Sequence, residues 1–265
     1  MTGGEVAADF EVFALSDTGR VRDNNEDAYA VDESRGMAVL ADGMGGYNAG
    51  EVAAGLATRC ILLGLQQRLA PHGAGVADVV AAIRSSVEDA NAAILHVAGQ
   101  DERYAGMGTT VVVAVAHGAG LTLGHVGDSR GYRLRKGVLT QLTCDHSLLQ
   151  ERVNAGLLTP EQAAQAPGRN LLTRALGVEP QVPVEIHDHP VQPGDVFLLC
   201  SDGLTDMLDD VAIASSMQSA ATLTAMGMDL ITRANARGGR DNVTVVLMRA
   251  RQKARRQSAW SRWFA

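Results

Sequence analysis

Four aspartates stand where apolar, β-prone runs meet turns. Asp42 lies in Ala41-Asp42-Gly43-Met44-Gly45-Gly46, Asp128 in Gly127-Asp128-Ser129-Arg130-Gly131, and Asp202 in Cys200-Ser201-Asp202-Gly203. These three follow the runs Met37 to Leu40, Leu121 to Val126 and Val196 to Leu199, whereas Asp241, in Arg240-Asp241-Asn242, precedes Val243 to Val246. Carboxylates gathered at the ends of neighbouring buried strands would repel one another in a dry site unless cations stood among them. Hard carboxylate and carbonyl oxygens select Mg²⁺ or Mn²⁺ over zinc or copper. Gly43 and Gly203, lacking Cβ atoms, would let backbone carbonyls approach an ion. Arg22 precedes the acidic pair Glu26-Asp27, and a guanidinium fork matches phosphate oxygens. Two ions roughly 3.5–4 Å apart can share a water, lower its pKa and clamp a phosphoryl group. Together these residue types point to hydrolysis of a phosphate ester.

The elements that position them read as follows. Phe10 to Ser16 is expected to be a strand, and Ala28 to Asp32 with Met37 to Leu40 a hairpin. A helix is expected over Ala49 to Leu69, with Val52, Leu56, Cys60 and Leu63 marking its apolar face, and a second over Val76 to Val97. Thr109 to Ala116, Leu121 to Val126, Gly131 to Leu134 and Val138 to Leu142 follow as a meander. Tyr104 to Gly127 contains no Asp, Glu, Lys or Arg, but His117-Gly118-Ala119-Gly120 interrupts it, so it reads as a buried hairpin and not a membrane span. Strands return at Val182 to His187, Val196 to Leu199 and Val243 to Met248, with helices across Val211 to Arg237. Short connections favour antiparallel sheets over βαβ alternation. The expected fold is α+β: a four-layer αββα sandwich, two antiparallel sheets flanked by helices. Residues 1–250 are expected to form one domain.

The chain's 265 residues carry 30 acidic and 23 basic side chains, a balance that does not invite nucleic acid. Cys60, Cys144 and Cys200 lack zinc-site spacing and read as small buried hydrophobes in a reducing cytosol. The segment Met1 to Phe10 has no apolar signal core, so a cytoplasmic protein is expected. His117, His125, His187 and His189 show no ligand spacing and read as structural; Thr109 and Thr110 read as packing residues.

Six motifs in order now make a specific resemblance. Arg22-x-x-x-Glu26-Asp27, Ala41-Asp42-Gly43-Met44-Gly45-Gly46, Gly108-Thr109-Thr110, Gly127-Asp128-Ser129-Arg130-Gly131, Ser201-Asp202-Gly203 and Asp241-Asn242 resemble the type 2C family of metal-dependent serine/threonine protein phosphatases, its bacterial branch above all. The resemblance spans about Phe10 to Arg249. It implies two Mn²⁺ or Mg²⁺ ions in the core site and a third, weaker one. Asp42 would bridge the two, Gly43 would offer its carbonyl, and Glu26 would serve the same ion in part through water. Asp202 and Asp241 would hold the other ion, Asp128 the third, and Asp27 would support from behind. Arg22 would grip the substrate phosphate. Residues Cys144 to Asn170 would form the flap that influences substrate choice, with Asn170 where some bacterial relatives place a serine. Met44 stands where animal members carry a histidine that is a candidate general acid; methionine has no proton to give, which leaves a metal-bound water or another residue such as His146.

The implied activity is hydrolysis of phosphoserine and phosphothreonine in proteins by a metal-activated bridging water, without a phosphoenzyme, opposing a serine/threonine kinase. The implied protein is a cytoplasmic monomer in signalling. One alternative is a phosphatase of the same fold dedicated to a single regulatory phosphoprotein, such as an anti-sigma-factor antagonist. Another is a pseudophosphatase that only binds partners, against which the retained Asp42, Asp202, Asp241 and Arg22 argue. Residues 251–265 are expected to form a basic aromatic tail. From Arg249 it carries six basic and no acidic residues, and Trp260, Trp263 and Phe264 share a helical spacing, which suggests docking to an acidic membrane surface or a partner.

Overall fold

The computed structural model describes residues 9–46, 49–69, 74–118, 120–168 and 171–251. The expected signal-free N-terminus, Asn170 and nearly all of the basic aromatic tail lie outside these residues.

Two antiparallel sheets form the centre. The first runs β1 (Phe10–Asp17), β11 (Val243–Ala250), β10 (Val196–Cys200), β7 (Arg130–Arg135) and β8 (Val138–Gln141) in that spatial order. The second runs β2 (Asp27–Asp32), β3 (Met37–Met44), β5 (Val111–His117), β6 (Gly120–Val126) and β9 (Glu185–Pro190), with the short β4 (Gly108–Thr109) pairing β3. Helices α1 (Ala49–Arg68) and α2 (Val76–Gln100) belong with the second sheet. Helices α3 (Leu148–Asn154) and α4 (Pro160–Gln165) lie in the flap, and α5 (Asp202–Thr205), α6 (Asp210–Ser219) and α7 (Leu223–Ala236) follow β10.

Strand periodicity explains the layering. Successive side chains of a strand point to opposite faces. In β3, Ala38 and Leu40 pack between the sheets while Met37, Val39 and Ala41 pack under α1 and α2. In β10, Phe197 and Leu199 join the inter-sheet core, while Val196, Leu198 and Cys200 meet Ile213, Met217, Leu230 and Ile231 of α6 and α7. Strands covered on both faces must be apolar throughout, which is why these runs show no alternation. The expected four-layer sandwich is the observed fold.

Three details differ from expectation. Helix α1 buries Ala53, Ala54, Ala57, Ile61, Gly64 and Leu65, whereas Leu63 is 56% exposed and Val52, Leu56 and Cys60 only fringe the core. Close packing selects the small residues: a Cβ on Gly64 would stand 2.6 Å from Ser86 Oγ of α2. Strand β9 begins at Glu185 rather than Val182, because it is an edge strand paired only with β6 and carries polar residues and Pro190. Strand β3 continues past Leu40 to Met44 because β4 supplies partners for Gly43 and Met44.

Candidate metal centre

The two sheets meet at one rim, and the acidic residues are delivered there from both. Asp27 and Asp42 face each other across the β2–β3 pair. Asp202 opens α5 directly after β10, and Asp241 stands just before β11. Gly203 packs so closely on the Asn242 carbonyl and the Asp241 Cβ that no side chain fits there. Gly43 is likewise enclosed by the carbonyls of Gly50 and Glu26, and its N–H donates to the Glu26 carbonyl at 3.1 Å. The Glu26 carboxyl lies against Gly50 in the first turn of α1.

Burial is the main influence on these acids, and their neighbours add to it. The Asp42 carboxyl is pushed well above the usual carboxylate range by loss of water, then by Asp27, Asp202, Asp128 and Asp241. Asp202 is raised in the same way, by burial and then by Asp128, Asp206 and Asp241. Asp128 is pushed up to about 6 by burial, with Asp145 adding to it. Glu26 is raised by burial, with Arg22 opposing. Asp27 is pushed up to about 6 by burial, against hydrogen bonds from Thr244 Oγ1 at 2.7 Å and Ser201 Oγ at 2.8 Å to its Oδ2. Its Oδ1 is buried without a hydrogen-bond partner.

Such a site favours a positive charge, and its donors are all oxygen. An orphaned buried carboxylate oxygen, two carboxyls that resist ionisation and backbone carbonyls beside glycines fit hard divalent cations such as Mn²⁺ and Mg²⁺. The side chains are not drawn into a tight cage, however. Among the described residues, only His125, His146 and Glu185 place three donor atoms within 4.8 Å of one another. Asp241 has both oxygens engaged: Oδ2 accepts from Arg22 Nη2 at 2.6 Å and Oδ1 from the Asn242 N–H at 2.8 Å.

The backbone around the acids is held by residues that the sequence did not single out for that purpose. Thr110 Oγ1 accepts the Asp42 N–H at 3.1 Å, and Thr109 Oγ1 donates to the Asp42 carbonyl at 2.8 Å, so both threonines do more than pack. Asn242 spans the sheets. Its Oδ1 accepts from the Glu26 N–H at 2.8 Å, and its Nδ2 donates to the carbonyls of Thr18 and Asn24 at 2.9 and 2.8 Å. Arg130 forks Asp145 of the flap, with Nε at 2.9 and 3.0 Å and Nη2 at 2.6 Å from its oxygens. Asp206, four residues beyond Asp202, adds a further acid that no sequence motif marked.

The histidines act structurally, as expected, but as a pair. His125 is not isolated: its ring stacks on His146 with centroids 4.6 Å apart. His146 Nδ1 accepts the Gly127 N–H at 3.2 Å, while its own N–H donates to the Gly127 carbonyl at 2.9 Å. With Nδ1 accepting, Nε2 carries the proton and donates to Glu185 Oε2 at 3.3 Å. His125 Nε2 is engaged by the Cys144 carbonyl at 2.8 Å. These hydrogen bonds make the group a brace for the Asp128 loop. They also leave His146 without a free nitrogen to serve a leaving group. Cys200, completely buried, has its thiol pushed up to about 12 and is no nucleophile.

The chain is similar to known proteins. The protein phosphatase 2C family model matches residues 19–243. The serine/threonine phosphatase stp of Listeria monocytogenes is 39% identical over 236 residues, covering 88% of this chain and 93% of that protein. The crystal structure of the Mycobacterium tuberculosis serine/threonine phosphatase PstP matches with a TM-score of 0.85 at 39% identity, over 92% of this chain and 99% of that one. A structure of the PstP catalytic domain in complex with two manganese ions matches with a TM-score of 0.82 at 36% identity, over 93% of this chain and 100% of that one. With its family model spanning most of its length and its acids gathered at one rim, the chain belongs to the protein phosphatase 2C family, as a metal-dependent serine/threonine phosphatase of the bacterial type.

Proposed function

We propose that the chain hydrolyses phosphoserine and phosphothreonine in proteins and opposes a serine/threonine kinase in the cytoplasm. The observation that carries this reading is the set of buried carboxyls, raised by burial and then by one another, beside a guanidinium at the same rim. Two ions would be held here: Asp42 would serve both, Gly43, through its carbonyl, and Glu26 one of them, and Asp202 with Asp241 the other. Asp128 serves a third. When bound, the ions supply Lewis acidity toward an attacking water and toward the phosphoryl oxygens.

The chain's own groups do the rest. Arg22, at the open side of the rim, binds phosphoryl oxygens through its fork and orients the ester for in-line attack. Asp27, itself fixed by Ser201 and Thr244, stands across the β2–β3 pair from Asp42 and backs it. Met44 has no proton to donate and His146 has none free, so the leaving oxygen takes its proton from water at the rim.

Residues 1–250 act as one domain, supported by the core shared between the sheets, and residues 251–265 form an appended tail. No helix among the described residues is long and apolar enough to cross a membrane. The protein works as a monomer, and docking of its tail to an acidic membrane or a partner would be a separate activity. Phosphate release from a phosphothreonine peptide tests the reading. Release is expected with Mn²⁺, is abolished by EDTA and returns with added Mn²⁺; release that persists in EDTA contradicts it.

A further inference from the structure

Beside the rim lies a groove of about 240 Å³ whose walls are mainly apolar: Met44, Leu171, Leu172, Val178, Val182 and Pro183, with Arg174 and Glu179 also lining it. Leu171 and Val178 are 55% and 56% exposed. A single exposed aliphatic means little, but apolar side chains gathered along one groove commonly mark a surface that binds something. This wall is not pliable. Leu171 accepts the Leu148 N–H at 2.9 Å, Leu172 bridges Ser147, and Leu176 exchanges hydrogen bonds with Thr109 at 2.9 and 3.1 Å. Beyond them, Asn91 receives the Gly177 N–H at 2.7 Å and donates to the Glu179 carbonyl at 2.8 Å. The apolar side chains are thus held in place from both ends by backbone and a buried asparagine.

Strand β3 connects the groove to the catalytic rim. Asp42 and Met44 both lie in β3, two residues apart, so their side chains leave the same face. Two residues of strand span about 6.6 Å, which is also the reach of one or two residues in an extended peptide. We propose that this groove seats an apolar side chain within two positions of the phosphorylated residue, so that the enzyme prefers phosphoproteins with an aliphatic neighbour at that place. The proposal rests on the phosphatase reading above and adds to it a substrate class. Met44, Leu171 and Val178 are the residues that set it.

Phosphothreonine peptides on a Gly/Ser background, each with a single Leu at −2, −1, +1 or +2, test the idea beside p-nitrophenyl phosphate, which has no aliphatic side chain to seat. Seating a leucine should raise kcat/KM about tenfold over serine at one or more of these positions. Leu171→Asp and Val178→Asp should remove that preference while p-nitrophenyl phosphate turnover stays within about twofold, since neither residue touches the acids. Should either variant also lose turnover of the small ester, Leu171→Ser and Val178→Ser decide by the same ratio. A wild type that turns over p-nitrophenyl phosphate but ignores Leu at all four positions overturns the groove, as does a preference that survives both substitutions. Failure to turn over p-nitrophenyl phosphate would instead strike at the phosphatase reading itself.

Discussion

Arg22 Nη2 lies 2.6 Å from Asp241 Oδ2, so the guanidinium assigned to the substrate phosphate is paired with a carboxylate assigned to a metal. The two functions share one edge of the site. Arg22 is half exposed and Asp241 is not fully buried, and an ion pair so open to water adds little to stability. Its value is positional: a phosphate arriving at the rim finds the fork already in place.

Replacing that fork separates the two roles. Arg22→Ala is expected to lower kcat/KM for a phosphate ester about 10- to 100-fold, the scale of a charge-assisted hydrogen bond. The Mn²⁺ concentration for half-maximal activity should move by no more than about threefold, because Asp241 keeps its Asn242 contact. Steady-state kinetics at several Mn²⁺ concentrations give both quantities. Equal loss of metal affinity would mean that Arg22 holds the metal ligands and not the substrate.

The raised acids predict how stability responds to pH once metal is stripped. Asp27 and Asp128 are pushed up to about 6, and Asp42 and Asp202 above the usual range. A carboxyl whose folded pKa exceeds its unfolded value of about 3.9 contributes stability below that value and loses it as pH rises through the folded pKa. The EDTA-treated protein should therefore melt at progressively lower temperature between pH 5 and pH 8. Added Mn²⁺ should raise the melting temperature more at pH 8 than at pH 5, since protons compete with the ion. A melting temperature that is flat across this window, with the same Mn²⁺ shift throughout, would show the acids to be ordinary surface groups.

Asn242 is the tie between the Arg22–Glu26 loop and β11. Asn242→Ala removes one acceptor and two donors from a residue only 6% exposed, leaving the Glu26 N–H and two carbonyls without their partner. The cost should be about 2–4 kcal/mol in urea unfolding, with kcat falling alongside as Glu26 and Arg22 lose their placement. Asn242→Asp keeps the acceptor but turns both carbonyls toward an anion, so it should be no better. An Ala variant of unchanged stability would refute the tie.

His146 braces the Asp128 loop through its Nδ1. His146→Asn retains an acceptor near that point and should keep Mn²⁺ dependence close to wild type. His146→Leu leaves the buried Gly127 N–H unpaired, at a cost of about 1–3 kcal/mol, and should weaken the Asp128 ion. The readout is the rise in turnover at high Mn²⁺, where the weakest site fills. Identical curves for the two variants would mean that the ring merely fills space.

Much of this site was legible in the chain because its parts announce themselves locally. An aspartate where a β-prone run meets a turn is a short-range pattern, and four such places, with Arg22 and Glu26-Asp27, suffice to suggest an acidic rim. The sandwich was legible for a similar reason, since runs such as Val196 to Leu199 suit only strands covered on both faces. The packing face of α1 was not. Leu and Val dominate any reading of apolar periodicity, yet the helix buries Ala53, Ala57 and Gly64 because small residues allow its close approach to β3 and α2. The supports were hidden too. Thr110 meets Asp42, Asn242 meets Glu26 and His146 meets Gly127 only because strands far apart in the chain pair in space. Side chains that hold a distant backbone leave no periodic trace.

The account stands on acidic side chains from both sheets holding a pair of hard cations. Equilibrium dialysis of the metal-stripped protein against Mn²⁺, with Asp42→Asn and Asp202→Asn in parallel, tests this most directly. The expected result is two tightly held ions per chain in the wild type, fewer in each variant, and p-nitrophenyl phosphate turnover that falls with the ions lost. A wild type that binds no manganese, or variants that bind and turn over as it does, would contradict it.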